Sequence, residues 1–172
     1  SGNFAVVFKM KDIETDKLYA VKCFTRHQEE RKERYLEIIK ELKQVKSKYF
    51  VSINYYEKEL FVDTRLNDET EFPVVVMDWV EGLCLEEYMQ TIKDDVAKKE
   101  ILANNFQKFV CWLLPKHFAH GDLKPDNIIV KDNGNIVLID YDGMFVSSLY
   151  GKTALEIGTP TFQYAKRTLN DF

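Results

Sequence analysis

The sequence predicts an α+β protein in two lobes: a small antiparallel β-sheet lobe carrying one helix, then a connector, then a mostly helical lobe. Three observations predict it. Runs of β-branched and aromatic residues crowd the first half and bracket a single stretch of helical periodicity. From about Leu85 the texture becomes helical. Near the end, two short apolar runs separated by "KDNGN" (131 to 135) read as a tight hairpin.

In order along the chain, "FAVVFKMKDIETDKLYAVKCFTR" (4 to 26) holds two β-type runs around the charged turn "KDIETDK" and reads as a hairpin. "EERKERYLEIIKELKQVK" (29 to 46) has apolar residues at 35, 38, 39, 42 and 45, the spacing of an amphipathic helix. Its many Lys and Arg residues alternate with Glu, so they are expected on a solvated face. "YFVSINYYEKELFV" and "FPVVVMDWVEG" give further strands. Gly82 falls where the texture changes, which divides the chain into lobes 1–81 and 82–172. Beyond it "LEEYMQTI" predicts a short helix, and "DDVAKKEILANNFQKFVCWLLPK" a long one that Pro115 ends.

Composition narrows the function. With 172 residues, 45% of them hydrophobic, the chain can bury a substantial core as one domain or two small lobes. A formal net charge of −4 does not suit a dedicated nucleic-acid binder. No run approaches the roughly twenty apolar residues that span a bilayer, and "SGNFAVVFKMKD" lacks the ordered regions of a signal peptide. Cys23, Cys84 and Cys111 are scattered without metal-site spacing, as expected of reduced thiols in a cytoplasmic protein.

The chemistry concentrates in "HGDLKPDNIIV" (120 to 130) and "LIDYDG", in which Asp140 lies 140 − 122 = 18 residues after Asp122. The first segment alone could be a polar loop of turn-forming residues feeding a buried strand from Asn127 to Lys131. Two strands joined at "KDNGN", however, would bring Asn127 and Asp140 to one mouth, with Asp122 in the loop leading in. Two carboxylates and an amide converging there suit a hard, oxygen-seeking Mg²⁺.

These motifs, taken in order, resemble the protein kinase fold, most closely divergent bacterial serine/threonine-kinase-like proteins. "SGNFAVV" is similar to the end of a glycine-rich phosphate loop, "YAVK" to the kinase V-A-I-K strand, and "VVVMDWVEG" to the strand and hinge that cradle adenine. "HGDLKPDN" resembles H-R-D-L-K-x-x-N, "DYDG" resembles D-F-G, and "GTPTFQYAK" (158 to 166) the end of an activation segment. The resemblance implies that Gly2, Val7, Ala20, Lys22, Met77, Asp78, Val80 and Ile129 bind ATP, with Lys22 on its α- and β-phosphates and the backbone of Asp78 and Val80 on the edge of the base. It assigns Asp122 to the attacking hydroxyl, Lys124 to the transferring phosphoryl, and Asn127 and Asp140 to Mg²⁺. Lys22, Asp122, Asn127 and Asp140 are then expected around one pocket. Thr159 is expected near Asp122 and Lys124, and His120 packed against Tyr141.

The sequence also departs from the pattern. Ala5 replaces the third glycine of the loop, Ile38 stands where the helix usually offers a glutamate to Lys22, and Glu37 and Glu41 flank it. Gly121 replaces arginine, Asp142 replaces glycine, and Lys166 and Arg167 stand at the closing acid. The resemblance further implies a first glycine before residue 1 and supporting helices after residue 172. The activity implied is ATP- and Mg²⁺-dependent transfer to a Ser/Thr hydroxyl of a protein substrate. The alternatives are a small-molecule phosphotransferase of the aminoglycoside or choline kinase type and a pseudokinase that binds nucleotide or acts as a scaffold.

Overall fold

The computed structural model describes residues 5–24, 29–62 and 71–170. It divides into two compact units, one formed by Ser1–Lys43 with Val51–Trp79 and the other by Gln44–Phe50 with Val80–Phe172.

The first unit is a four-stranded antiparallel sheet with one helix. The strands β1 (Ala5–Lys11), β2 (Leu18–Phe24), β3 (Ile53–Phe61) and β4 (Glu71–Asp78) lie in the order β1-β2-β4-β3. β1 and β2 form the expected hairpin. Asp12 closes its turn by accepting the amides of Glu14 and Thr15, both at 2.9 Å.

The helix α1 (Glu29–Val45) buries Tyr35, Ile38, Ile39 and Leu42, the stripe its periodicity predicts. Tyr35 packs on Phe24 of β2 and Tyr55 of β3, with ring centroids 6.0 and 5.8 Å apart. Each side chain so enclosed contributes about 1.5–3 kcal/mol of hydrophobic stabilisation. The expectation of a wholly solvated basic face does not hold, because Arg31 and Arg34 are only 6% and 5% exposed. The Arg31 guanidinium lies 4.2 Å from the centre of the Phe24 ring, where the negative π face offsets part of the cost of burying the charge.

In the second unit, α3 (Val96–Leu113) starts where Asp95 caps the Lys98 amide at 2.9 Å and ends just ahead of Pro115. A three-stranded antiparallel sheet runs β5 (Leu83–Cys84), β6 (Ile128–Val130), β7 (Ile136–Leu138), with the short α2 (Leu85–Thr91) following β5. An aromatic cluster fills the space between α3 and the loops. Tyr49 packs on Phe109 and Trp112, and Phe50 on Trp112, Phe118 and Tyr141, with centroids 4.9 to 5.7 Å apart.

The "KDNGN" turn joins β6 to β7 through bonds between Lys131 and Asn135 (2.9 Å) and between Gly134 and Lys131 (2.8 Å). Asn105 of α3 pins it by donating to the Gly134 carbonyl at 2.8 Å. The strand expected from Asn127 starts one residue later, at Ile128, because Pro125 starts a one-turn 3₁₀ helix, Pro125–Asn127, from which only the Asn127 carbonyl still bonds across to β7's end.

Candidate active site

The hairpin register sets the site in the second unit. Ile128 pairs with Leu138, and the next rung is a bond from the Ile139 amide to the Asn127 carbonyl at 3.0 Å. Asp140 therefore follows directly on the residue opposite Asn127, at the mouth. It holds a left-handed backbone, φ 64°. For a non-glycine residue this costs on the order of 1–3 kcal/mol, and such strain persists where surrounding structure imposes it.

The 3₁₀ turn brings Asn127 back over the loop that precedes it. Its Nδ2 donates to the Asp122 carbonyl at 2.8 Å and to Asp122 Oδ2 at 3.1 Å. This leaves Oδ1 of Asn127 as an oxygen donor for a cation. Lys124 Nζ stands 3.6 Å from Asp122 Oδ2. The other carboxylate oxygen, Oδ1, accepts the amide of Thr159 at 2.7 Å. Thr159 is thus beside Asp122 as expected, and its main chain makes the bond.

Burial by itself would raise the Asp122 carboxyl, but the bonds from Thr159 and the nearby Lys124 outweigh it and hold the group below the usual carboxylate range. Asp122 is therefore ionised at neutral pH and acts as an acceptor. His120 differs. Burial drives its pKa below the ordinary range, so the ring is neutral. Nδ1 takes the Asp122 amide (3.4 Å), which leaves Nε2–H to donate to the Ile139 carbonyl (2.9 Å). The ring meets Tyr141 edge-on at 6.1 Å, while Tyr141 Oη donates to the Leu138 carbonyl at 2.7 Å. His120 is a strut joining the two loops.

The first unit places its own residues on one sheet face. The rows Val7–Lys22–Val75 and Lys9–Ala20–Met77 are two residues apart along each strand and so point the same way. Lys22 is only 8% exposed, so it is no ordinary solvated strand lysine. The Asp78 amide donates to the Ser52 carbonyl at 3.1 Å and its carboxylate pairs with Lys17 at 2.8 Å. Ile38, at the position where the resemblance expects a glutamate, is 1% exposed and part of the core. Val80 and Ile129 belong to the second unit, where Ile129 sits mid-strand between Cys84 and Val137. Gly2 lies outside the described residues.

Sequence reasoning missed two residues. Gln163 Nε2 and Arg167 Nη1 both donate to the Gly121 carbonyl, at 2.9 and 2.6 Å. The signals available were the replacement of arginine by Gly121 and the arrival of a new cation at Arg167. A hollow of about 510 Å³ beside this contact is lined by Leu113, Phe118, Phe145 and Tyr164, and by none of Asp122, Lys124, Asn127 or Asp140.

Among the described residues no cluster of three or more His, Cys, Asp or Glu is placed to hold a metal. One carboxylate and one amide oxygen nevertheless fit Mg²⁺, which keeps waters and takes phosphate oxygens for its remaining ligands. Among the described residues, no helix is long and apolar enough to cross a membrane.

The chain is similar in sequence to known proteins. The family model described as "Protein kinase domain" matches residues 1–165. Serine/threonine-protein kinase sgk-1 of Caenorhabditis elegans is 26% identical over 165 residues, covering 94% of this chain and 34% of the relative. Serine/threonine-protein kinase CG17528 of Drosophila melanogaster is 26% identical over 140 residues, 79% of this chain and 17% of the relative. Serine/threonine-protein kinase PrkC of Bacillus subtilis is 34% identical over 79 residues, 44% of this chain and 12% of the relative. The matches thus cover between 12% and 34% of the length of these relatives. Animal and bacterial proteins both occur among them.

Proposed function

This chain belongs to the protein kinase family, and from that premise we propose that it transfers the γ-phosphoryl group of ATP to a serine or threonine hydroxyl of a protein substrate. The observation that carries the proposal is the fixed, ionised Asp122, held by Asn127 on one oxygen and Thr159 on the other.

Asp122 accepts a hydrogen bond from the attacking hydroxyl and orients its lone pair. A carboxylate with a depressed pKa is a weak base, which suits phosphoryl transfer, where the transition state is loose and positioning outweighs proton abstraction. Lys124 places a mobile point charge near the transferring group. Asn127 and Asp140 are the oxygen ligands for Mg²⁺. Mg²⁺–ATP supplies the transferable phosphoryl group and the charge that neutralises its oxygens. In the first unit, Val7, Ala20 and Met77 offer apolar contact to adenine, Lys22 a cation to the phosphates, and Asp78 its backbone to the edge of the base; in the second unit, the backbone of Val80 and the side chain of Ile129 are the proposed nucleotide contacts.

One observation favours a second reading. Buried Ile38 denies Lys22 the expected glutamate at that position, as in a module that binds nucleotide without turning it over. A thermal titration with Mg²⁺–ATP followed by a radiolabelled transfer assay, on wild type and Asp122→Asn, separates the two. Transfer by wild type that disappears in Asp122→Asn, with binding retained, supports the kinase. Binding without transfer in both supports the second reading. Transfer to an aminoglycoside or amino alcohol in preference to protein would change the acceptor class.

A further inference from the structure

The Gly121 carbonyl, in the peptide unit that leads into Asp122, is gripped from the far end of the chain. Gln163 Nε2 donates to it at 2.9 Å and Arg167 Nη1 at 2.6 Å, and the same guanidinium also donates to Gln163 Oε1. Three groups therefore close a ring in which Gln163 is both donor and acceptor. Four residues before Gln163, the Thr159 amide binds Asp122 Oδ1. One short segment thus holds both the peptide entering Asp122 and the Asp122 carboxylate itself.

Two glycines make the approach possible. Gly158 has φ +82°, and a Cβ there would lie 2.6 Å from Gln163 Nε2, 2.7 Å from the Gly121 carbonyl oxygen and 3.1 Å from Asp122 Oδ1. Gly121 also has φ +82°, and its Cβ would lie 1.8 Å from the Gly143 carbonyl oxygen. An arginine at 121 is thereby sterically excluded. A guanidinium reaches that peptide instead from Arg167.

The Gly121 carbonyl and the Asp122 amide belong to one planar unit. Its oxygen is fixed by two donors, one of them charged, and its N–H by His120 Nδ1. Rotation of that plane would swing the Cα–Cβ bond of Asp122 away from the site. We infer that Gln163 and Arg167 are positioning residues that set the direction of the Asp122 carboxylate without touching substrate. The inference rests on the phosphotransfer reading for its effect on rate, but the mechanical coupling can be read without activity.

The test uses the full-length protein with Arg167→Ala, Arg167→Lys and Gln163→Leu, the last nearly isosteric and unable to bond. Steady-state kinetics are measured together with residue-resolved amide exchange. The expected result is a kcat lowered about 10- to 100-fold in Arg167→Ala and Gln163→Leu. KM for ATP should stay within about threefold, and Arg167→Lys should recover part of kcat. The Thr159 amide should exchange faster while the β6–β7 amides keep their protection. An unchanged kcat overturns the inference. So does a loss with faster exchange throughout the second unit and no recovery by lysine. If wild type binds Mg²⁺–ATP and transfers nothing, the kinase reading fails, and exchange alone decides the clamp. Faster Thr159 exchange in Arg167→Ala or Gln163→Leu with the β6–β7 amides still protected supports it, and unchanged Thr159 exchange in both, or faster exchange throughout the second unit, overturns it.

Discussion

The side-chain amide of Asn127 donates to both the main-chain carbonyl and the carboxylate of Asp122, at 2.8 and 3.1 Å. One group thus ties the proposed metal ligand to the proposed hydroxyl acceptor, so the two cannot be perturbed separately. Asn127→Asp keeps an oxygen ligand but removes the donor and sets a second carboxylate against Asp122. Repulsion should raise the pKa of one member of the pair. The expected outcome is a kcat at least about 100-fold lower, with the remaining activity falling further at high pH as both acids ionise. A kcat–pH profile of the variant against wild type checks this.

The depressed Asp122 carboxyl has a consequence for stability. A group whose folded pKa lies below its unfolded value contributes stability that is complete above the unfolded value and disappears as pH falls through the folded one. Here the unfolded reference is 3.8 and the folded value is lower. Wild type should therefore differ in Tm from Asp122→Asn by a constant amount between about pH 5 and 7. The difference should shrink as pH falls below that range. A gap that instead widens in acid would mean that the carboxyl is not held ionised by Thr159 and Lys124.

Much of this arrangement is legible in the residues. The 3.6 period over 35, 38, 39 and 42 locates the buried stripe of α1, and "KDNGN" fixes a hairpin whose mouth must bring Asn127 near Asp140. Short-range patterns suffice there because the partners are close in sequence. Arg31 and Arg34 were not legible as buried, since their charge argues for solvent and only the Phe24 ring of another element reverses that for Arg31. The Gln163 and Arg167 bonds to Gly121 span 42 and 46 residues, and no local period encodes a contact of that separation.

Lys22 separates nucleotide binding from folding. It is buried on a sheet face between Val7 and Val75, so Lys22→Met keeps the apolar stem and removes only the charge. The methionine stem keeps the apolar packing of the position, so the variant should still fold. The expected outcome is a cooperative unfolding transition with ATP-dependent transfer reduced at least about 100-fold. Chemical denaturation and the transfer assay on the same preparation measure both. An unaltered rate would remove Lys22 from the proposed phosphate contacts.

Gly121 gives a prediction that runs against the family pattern. Restoring the arginine of H-R-D would ordinarily be read as a repair. In this chain Gly121→Arg places a Cβ 1.8 Å from the Gly143 carbonyl oxygen at a backbone φ of +82°, and the obstacle is main chain, which no rotamer change relieves. The left-handed conformation alone costs roughly 1–2 kcal/mol for a side-chain-bearing residue. The overlap must add a displacement of the 121 or the 143 loop. Since Gly121 also offers its carbonyl to Gln163 and Arg167, that displacement should break the clamp. The expected outcome is a loss of about 3 kcal/mol or more in urea unfolding, with little activity remaining. Gly121→Ala should show most of the same stability loss, because the clash arises at the Cβ. An arginine variant as stable as wild type would show that the loops are not packed as closely as described.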